Sequence, residues 1–190
     1  STAELMRQCD LVVAMGSQAN VRAAYASGTP AFGFGAGNVA AIVDETADLE
    51  AAARMIVQSK TFDNATSCSS ENSVVLVEAI AGAMLAALGK LGCVRVTGED
   101  RARLESCMWP GGKLSPEVIG QSIPVIAERA RLADPAAREA RILLVDESAV
   151  GPGHPFSGEK LSPVLTVYRA KDFAEAQDIV RRIYAFQGAG

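Results

Sequence analysis

Three short runs in this chain are apolar at every position: Leu11-Val12-Val13-Ala14, Val74-Val75-Leu76-Val77 and Ile142-Leu143-Leu144-Val145. A strand with one wet face alternates apolar and polar residues, so an unbroken run fits a strand buried on both faces. Residues Val39–Val43, Cys93–Val96 and Val164–Tyr168 supply further strands. The segments between them have helical spacing. One covers Ala19–Ala26 and stops at Gly28 and Pro30. The next starts at Thr46 as cap and runs to about Lys60, with Leu49, Ala52, Ala53, Ile56 and Val57 as its apolar stripe. Asp48 and Glu50 at its positive end and Lys60 at its negative end match the helix dipole.

Glu78–Lys90 is rich in alanine and leucine and ends at Gly92. Glu99–Cys107 reads as a charged, solvent-facing helix. Pro116–Leu132 contains another, with Ile119, Ile123 and Ile126 at helical spacing and Pro124 in its first turn or at a kink. Asp172 and Glu175 form a capping box for the last helix. Strands alternating with helices predict an α/β fold with a largely parallel sheet flanked by helices.

Composition removes several function classes. A net charge of -4 leaves no basic footprint for nucleic acid, and aromatic residues are few. No apolar run has the length of a membrane span, and the first residues lack the pattern of a signal peptide. Four widely spaced cysteines and a single histidine make a metal site improbable. Reduced thiols in a cytoplasmic protein are the simplest expectation.

The strongest chemistry rests on Cys68, in a polar linker between a helix and a strand, where a scaffold exposes a reactive side chain. A free thiol of pKa about 8.5 is mostly protonated at neutral pH, so a nucleophile needs activation by backbone N–H groups, a helix N-terminus or a base. His154, between Gly153 and Pro155, reads as a loop residue, which disfavours a Cys–His hydrolase. Cys93 and Cys107 read as structural. Glu71 reads as a linker residue facing water or capping a turn. Glu159 stands where a loop meets a strand, and its charge alone does not separate a ligand from a solvated carboxylate. Gly16-Ser17 lies between a strand and a helix, an order that presents N–H groups to a phosphate but also occurs in ordinary βα turns. AFGFGAGN, residues 31–38, is not followed by a helix, so it fails as a dinucleotide loop; Gly33, Gly35 and Gly37 permit close backbone approach or form a flexible crossing between two lobes, and are read as a domain junction.

Four motifs occur together: AAYASGTPAFGFGAGN, DETADLEAA, KTFDNATSCSSENS and PFSGEKLSPVL. In this order and spacing the whole chain resembles the C-terminal portion of the aldehyde dehydrogenase superfamily, specifically its CoA-acylating branch. The resemblance implies a Rossmann-like remnant of the NAD(P)-binding domain at residues 1–39 and a catalytic domain at 40–190. It implies a nucleophilic Cys68, whose own N–H is one oxyanion donor. The second donor is an asparagine in a region this chain does not contain. It further implies that Gly16 and Ser17 meet the cofactor near its phosphate and nicotinamide end. Glu159 would hold the nicotinamide ribose, and the backbone of Gly35 would lie against the nicotinamide.

NAD or NADP would be the cofactor, coenzyme A the co-substrate and a small aldehyde the substrate, in a homo-oligomeric enzyme. Most of the dinucleotide domain would precede residue 1, and an oligomerisation arm would follow Gly190. Two departures stand out. Phe34 occupies the position of the glutamate that activates water in hydrolytic relatives, and phenylalanine cannot accept a proton. Ala65 replaces a glycine three residues before the cysteine. The first favours the acylating reaction over release of a free acid; an inactive catalytic-domain fragment is the third alternative.

Overall fold

The apolar runs become inner strands of a covered sheet in only part of the chain. The computed structural model describes residues 1–16, 18–35 and 37–188, which fall into one unit ending at Gly37 and one beginning at Asn38. The first holds α1 (Thr2–Arg7), β1 (Val12–Met15), α2 (Gln18–Tyr25) and β2 (Ala31–Phe34). β1 and β2 pair in parallel, with Val12 opposite Ala31 and Met15 opposite Phe34.

Two expectations need correction here. Leu11–Ala14 is not buried on both faces: Val12 and Ala14 pack with Ala24 and Met6, while Leu11, Val13 and Met15 are exposed. The helices cover one side of β1 and leave the other bare. The second concerns residues 31–38, whose first half is the strand β2, while the boundary between the two units falls after Gly37. Gly33 is there because a Cβ would lie 2.4 Å from the Val21 Cγ1 of α2, so only glycine lets helix and strand meet.

The second unit contains β3 (Ala40–Val43), α3 (Leu49–Thr61), β4 (Ser73–Val77), α4 (Glu78–Lys90), β5 (Cys93–Arg95) and α5 (Gly98–Met108). These are followed by α6 (Ile123–Ala130), α7 (Pro135–Arg138), β6 (Ile142–Asp146), β7 (Val164–Ala170) and α8 (Phe173–Gln187). The strands form one sheet in the order β3-β4-β7-β6-β5, every pairing parallel. Alternate residues point to opposite faces, and both faces are covered. Val74, Leu76, Leu144 and Val167 pack against α3 and α4. Leu143, Val145 and Val164 meet α5 and α6, and Val75 and Tyr168 meet α8. The α/β expectation therefore holds.

Local details refine the helices. Asp48 caps α3, accepting the Ala51 N–H at 3.0 Å, because Thr46 is spent on the Asp44 carboxylate. Lys60 is not a solvated dipole partner: its side chain is wholly buried. α5 is not all solvent-facing either, since Leu104 and Met108 enter the core. α6 begins only at Ile123, with Pro124 in its first turn where the missing N–H costs nothing. Asp172 caps α8 by accepting the Glu175 N–H at 2.9 Å, while Glu175 reaches back to the Lys171 N–H. Among the described residues no helix is long and apolar enough to cross a membrane.

Candidate active site

In a parallel sheet the segments that precede strands converge on one edge. Cys68 precedes β4 and Glu159 precedes β7, so both stand at the amino edge of the five-stranded sheet. α3 ends at Thr61 and passes into a tight turn, Phe62–Ala65, in which Asp63, Asn64 and Ala65 all adopt left-handed backbone (φ 47°, 49° and 59°). Each such non-glycine residue costs of order 1 kcal/mol or more, so the turn persists only because its surroundings hold it. Asn64 Nδ2 donates to the Gly120 carbonyl at 2.9 Å, and the Thr66 hydroxyl donates to the carbonyl and carboxylate of Asp63. The left-handed Ala65 also explains why glycine suits that position. Past the turn, Cys68 is exposed.

Beneath the cysteine loop lies a layer of buried polar side chains, which includes Asn38, Lys60, Asn72, Ser73, Lys160 and Thr166. The Asn72 N–H donates to the Val39 carbonyl at 2.8 Å, joining the entries to β3 and β4. Glu71 faces water only in part: the residue is half-buried, and its Oε2 lies inside without a hydrogen-bond partner among the described residues, as does the Lys60 amine. Burial drives the Lys60 pKa down from 10.5 to about 7, against the opposing pull of Glu71 and Glu159. Lys160 is pushed well below its ordinary value by burial first and by Lys60 second.

Glu159 itself is half-buried, and its N–H donates to Gln187 Oε1 at 2.7 Å. In the first unit Gly16 and Gly35 follow β1 and β2 directly, side by side at the carboxyl end of the strand pair, where parallel sheets bind nucleotides. Gly16 has φ +117° with open space where a Cβ would be, and a Cβ on Gly35 would strike the Gln18 amide at 2.1 Å. Ser17 lies outside the described residues. His154 goes elsewhere: its Nδ1 is 2.9 Å from the Glu147 carboxylate, at the carboxyl edge of β6 and away from Cys68. Burial raises the Cys93 thiol to about 11 and shifts Cys107 the same way, which keeps both unreactive. No group of metal-ligating side chains forms among the described residues.

No protein-family model matches the sequence. Individual proteins do. Over 190 residues the chain is 58% identical to a sulfoacetaldehyde dehydrogenase (acylating) from Cupriavidus necator, covering all of this chain and 38% of that protein. An acetylating aldehyde dehydrogenase from Geobacillus thermoglucosidasius superposes with a TM-score of 0.93 at 36% identity, over 98% of this chain and 41% of that one. The chain is homologous to part of the acylating aldehyde dehydrogenases. A propionaldehyde dehydrogenase from Rhodopseudomonas palustris, solved with bound propionyl-CoA, also matches, with a TM-score of 0.85 at 26% identity over 98% of this chain and 43% of its own. The chain thus spans about two-fifths of the length of the acylating dehydrogenases it matches.

Sequence reasoning missed the buried roles of three residues inside the quoted motifs: Lys60, Asn72 and Lys160. One signal was present. Ala53, Ile56, Val57 and Lys60 are spaced by three and four residues, so Lys60 continues the buried stripe of α3. Asn72 and Lys160 lie in loops, where no period applies.

Proposed function

We propose that this chain carries the catalytic part of an enzyme converting a small aldehyde, CoA and NAD(P)+ to acyl-CoA, NAD(P)H and a proton. The observation that carries the reading is the exposed Cys68 on its pinned, left-handed loop, in a chain homologous throughout to acylating dehydrogenases. The Cys68 thiolate adds to the aldehyde carbonyl, forming the S–C bond, and its backbone N–H steadies the oxygen charge. A nicotinamide bound nearby supplies the hydride acceptor. Cys68 then holds a thioester until the thiol of CoA displaces it, returning the sulfur to its resting state. Phe34 offers no base for water, which supports CoA over water as the acceptor.

Gly16 and Gly35 are assigned the backbone contacts such a cofactor requires: the space beside Gly16 is open, and the Gln18 amide that lies beside Gly35 is the far end of a flexible side chain. Glu159 is assigned to the nicotinamide ribose. Residues 1–39 are read as the tail of the NAD(P)-binding domain and 40–190 as the catalytic domain of a cytoplasmic homo-oligomer. In the complete enzyme, Cys68→Ala is expected to reduce CoA-dependent NAD(P)H formation by at least about 10³-fold. Sulfoacetaldehyde is the first aldehyde to test, after the name of the relative from Cupriavidus necator. Retained turnover in the variant sinks the assignment of Cys68, and wild-type turnover without CoA sinks the acylating reaction.

A further inference from the structure

The loop that carries Glu159 is held almost group by group. The Phe156 carbonyl accepts from Lys160 Nζ at 2.7 Å and from the Thr166 hydroxyl at 2.6 Å. Asn38 Nδ2 donates to the Ser157 carbonyl at 2.8 Å, and Lys160 Nζ donates again to the Gly158 carbonyl at 2.8 Å. On the far side of Glu159, the Lys160 N–H donates to Asn72 Oδ1 at 3.0 Å. Asn72 follows Cys68 by four residues and is itself tied to the entry of β3. The next residue, Leu161, has φ +46°, a conformation the chain keeps only under such restraint.

Burying an amine is costly, and a methionine would fill the same volume without that cost. A methionine would also take the amine donor from the Gly158 carbonyl, just before Glu159, and leave the Phe156 carbonyl with the Thr166 hydroxyl alone. We propose that Lys160 is a positioning residue for Glu159: its amine and its amide fix the loop on both sides of that carboxylate and lock it to the cysteine segment. The inference rests on the ribose assignment of Glu159 made above. Lys60, Glu147 and Glu159 are the charged groups that act on the Lys160 amine.

A double-mutant cycle in the complete enzyme tests it, with Glu159→Gln, Lys160→Met and both together. Glu159→Gln is expected to raise the KM for NAD(P)+ about tenfold, the loss of about one charge-assisted hydrogen bond. Lys160→Met should raise it by a similar factor while kcat at saturating cofactor stays within about threefold, and the double variant should be no more than about twofold worse than the worse single. A lysine that only stabilised the fold would lower the melting temperature and the yield without moving KM. The proposal is overturned if Lys160→Met leaves KM unchanged, or if the two effects multiply to about 100-fold.

Should Lys160→Met not accumulate, Gln187→Ala takes its place, removing the acceptor of the Glu159 N–H from an exposed position. A KM raised about threefold, absent in the Glu159→Gln background, supports a positioned loop; an unchanged KM overturns it. If Glu159→Gln alone leaves KM unaltered, the ribose assignment itself falls and takes the inference with it. Additive single effects leave that assignment standing and remove only Lys160.

Discussion

The strand pair β1–β2 and the five-stranded sheet are built from similar sequence and buried very differently. Val74 to Val77 are all inaccessible, because α3 and α4 lie on one face of β4 and α8 on the other. Leu11, Val13, Met15, Phe32 and Phe34 of the first unit all stay more than half exposed, on one continuous apolar face. An apolar run therefore specifies what a strand can tolerate, and its neighbours decide whether that capacity is used. Stability should accordingly reside in the second unit. A bare apolar face of this size belongs against something else.

Deleting packing in each unit sharpens the contrast, and the largest effect falls on β4. Leu76→Ala removes a fully buried side chain from the core beneath α3 and α4. The expected loss is about 3–4 kcal/mol, in the range for a leucine deletion that leaves a cavity. Trp109 is the only tryptophan and stacks edge-on against Phe156 with ring centroids 4.8 Å apart, so its fluorescence reports the second unit alone. Urea unfolding followed at Trp109 should show a lowered midpoint. An unchanged midpoint would mean that the covered sheet is not the stable part.

The second unit also buries ionisable side chains, which among the described residues the first does not, and Lys60 makes this visible through pH. Its pKa is about 7 in the folded protein and 10.5 ordinarily, so between those values the unfolded chain binds a proton that the folded chain has released. Stability then rises with pH across that window, by at most about 1.4 kcal/mol per pH unit for one proton, and is flat below it. From pH 7 to 9 the Lys60 contribution is about 2 kcal/mol. Confining the comparison to that range avoids Cys93, whose raised pKa acts with the opposite sign above its ordinary value of 9.0. Lys60→Met should flatten the slope by that amount. An unaltered slope would show that the amine is solvated in the folded protein.

The same contrast explains what was legible in the sequence. Val74–Val77 and Ile142–Val145 could be read as strands because continuous apolarity and parallel burial coincide there. β2 was hidden because Gly33 and Gly35 look like punctuation, when Gly33 is required by the approach of Val21 and Tyr25. Leu11–Ala14 was readable as a strand and not as half-bare, since coverage comes from other segments. Cys68 was legible from its polar setting, and Glu159, Gly16 and Gly35 only through resemblance to a family. Lys60 misled because a lysine in a last helical turn satisfies the dipole whether or not it is solvated. The Lys160 and Asn72 bonds join positions 88 residues apart, which no local pattern encodes.

The smallest expected effect tests the bare face directly. Val13→Thr keeps a β-branched side chain suited to a strand and exchanges one methyl for a hydroxyl. Val13 is 60% exposed, between the buried Val12 and Ala14. On an uncovered face the exchange should alter stability by less than about 0.5 kcal/mol, because little apolar area leaves or enters water. The same substitution at a fully buried site such as Val75 would strand a hydroxyl in the core at a cost of about 1–3 kcal/mol. Far-UV circular dichroism, which registers both units, is the measure for Val13→Thr, and weaker self-association by light scattering should accompany it. A loss above about 1 kcal/mol would show that Val13 is packed in the protein in solution, and the two sheets would then differ in what covers them and not in whether they are covered.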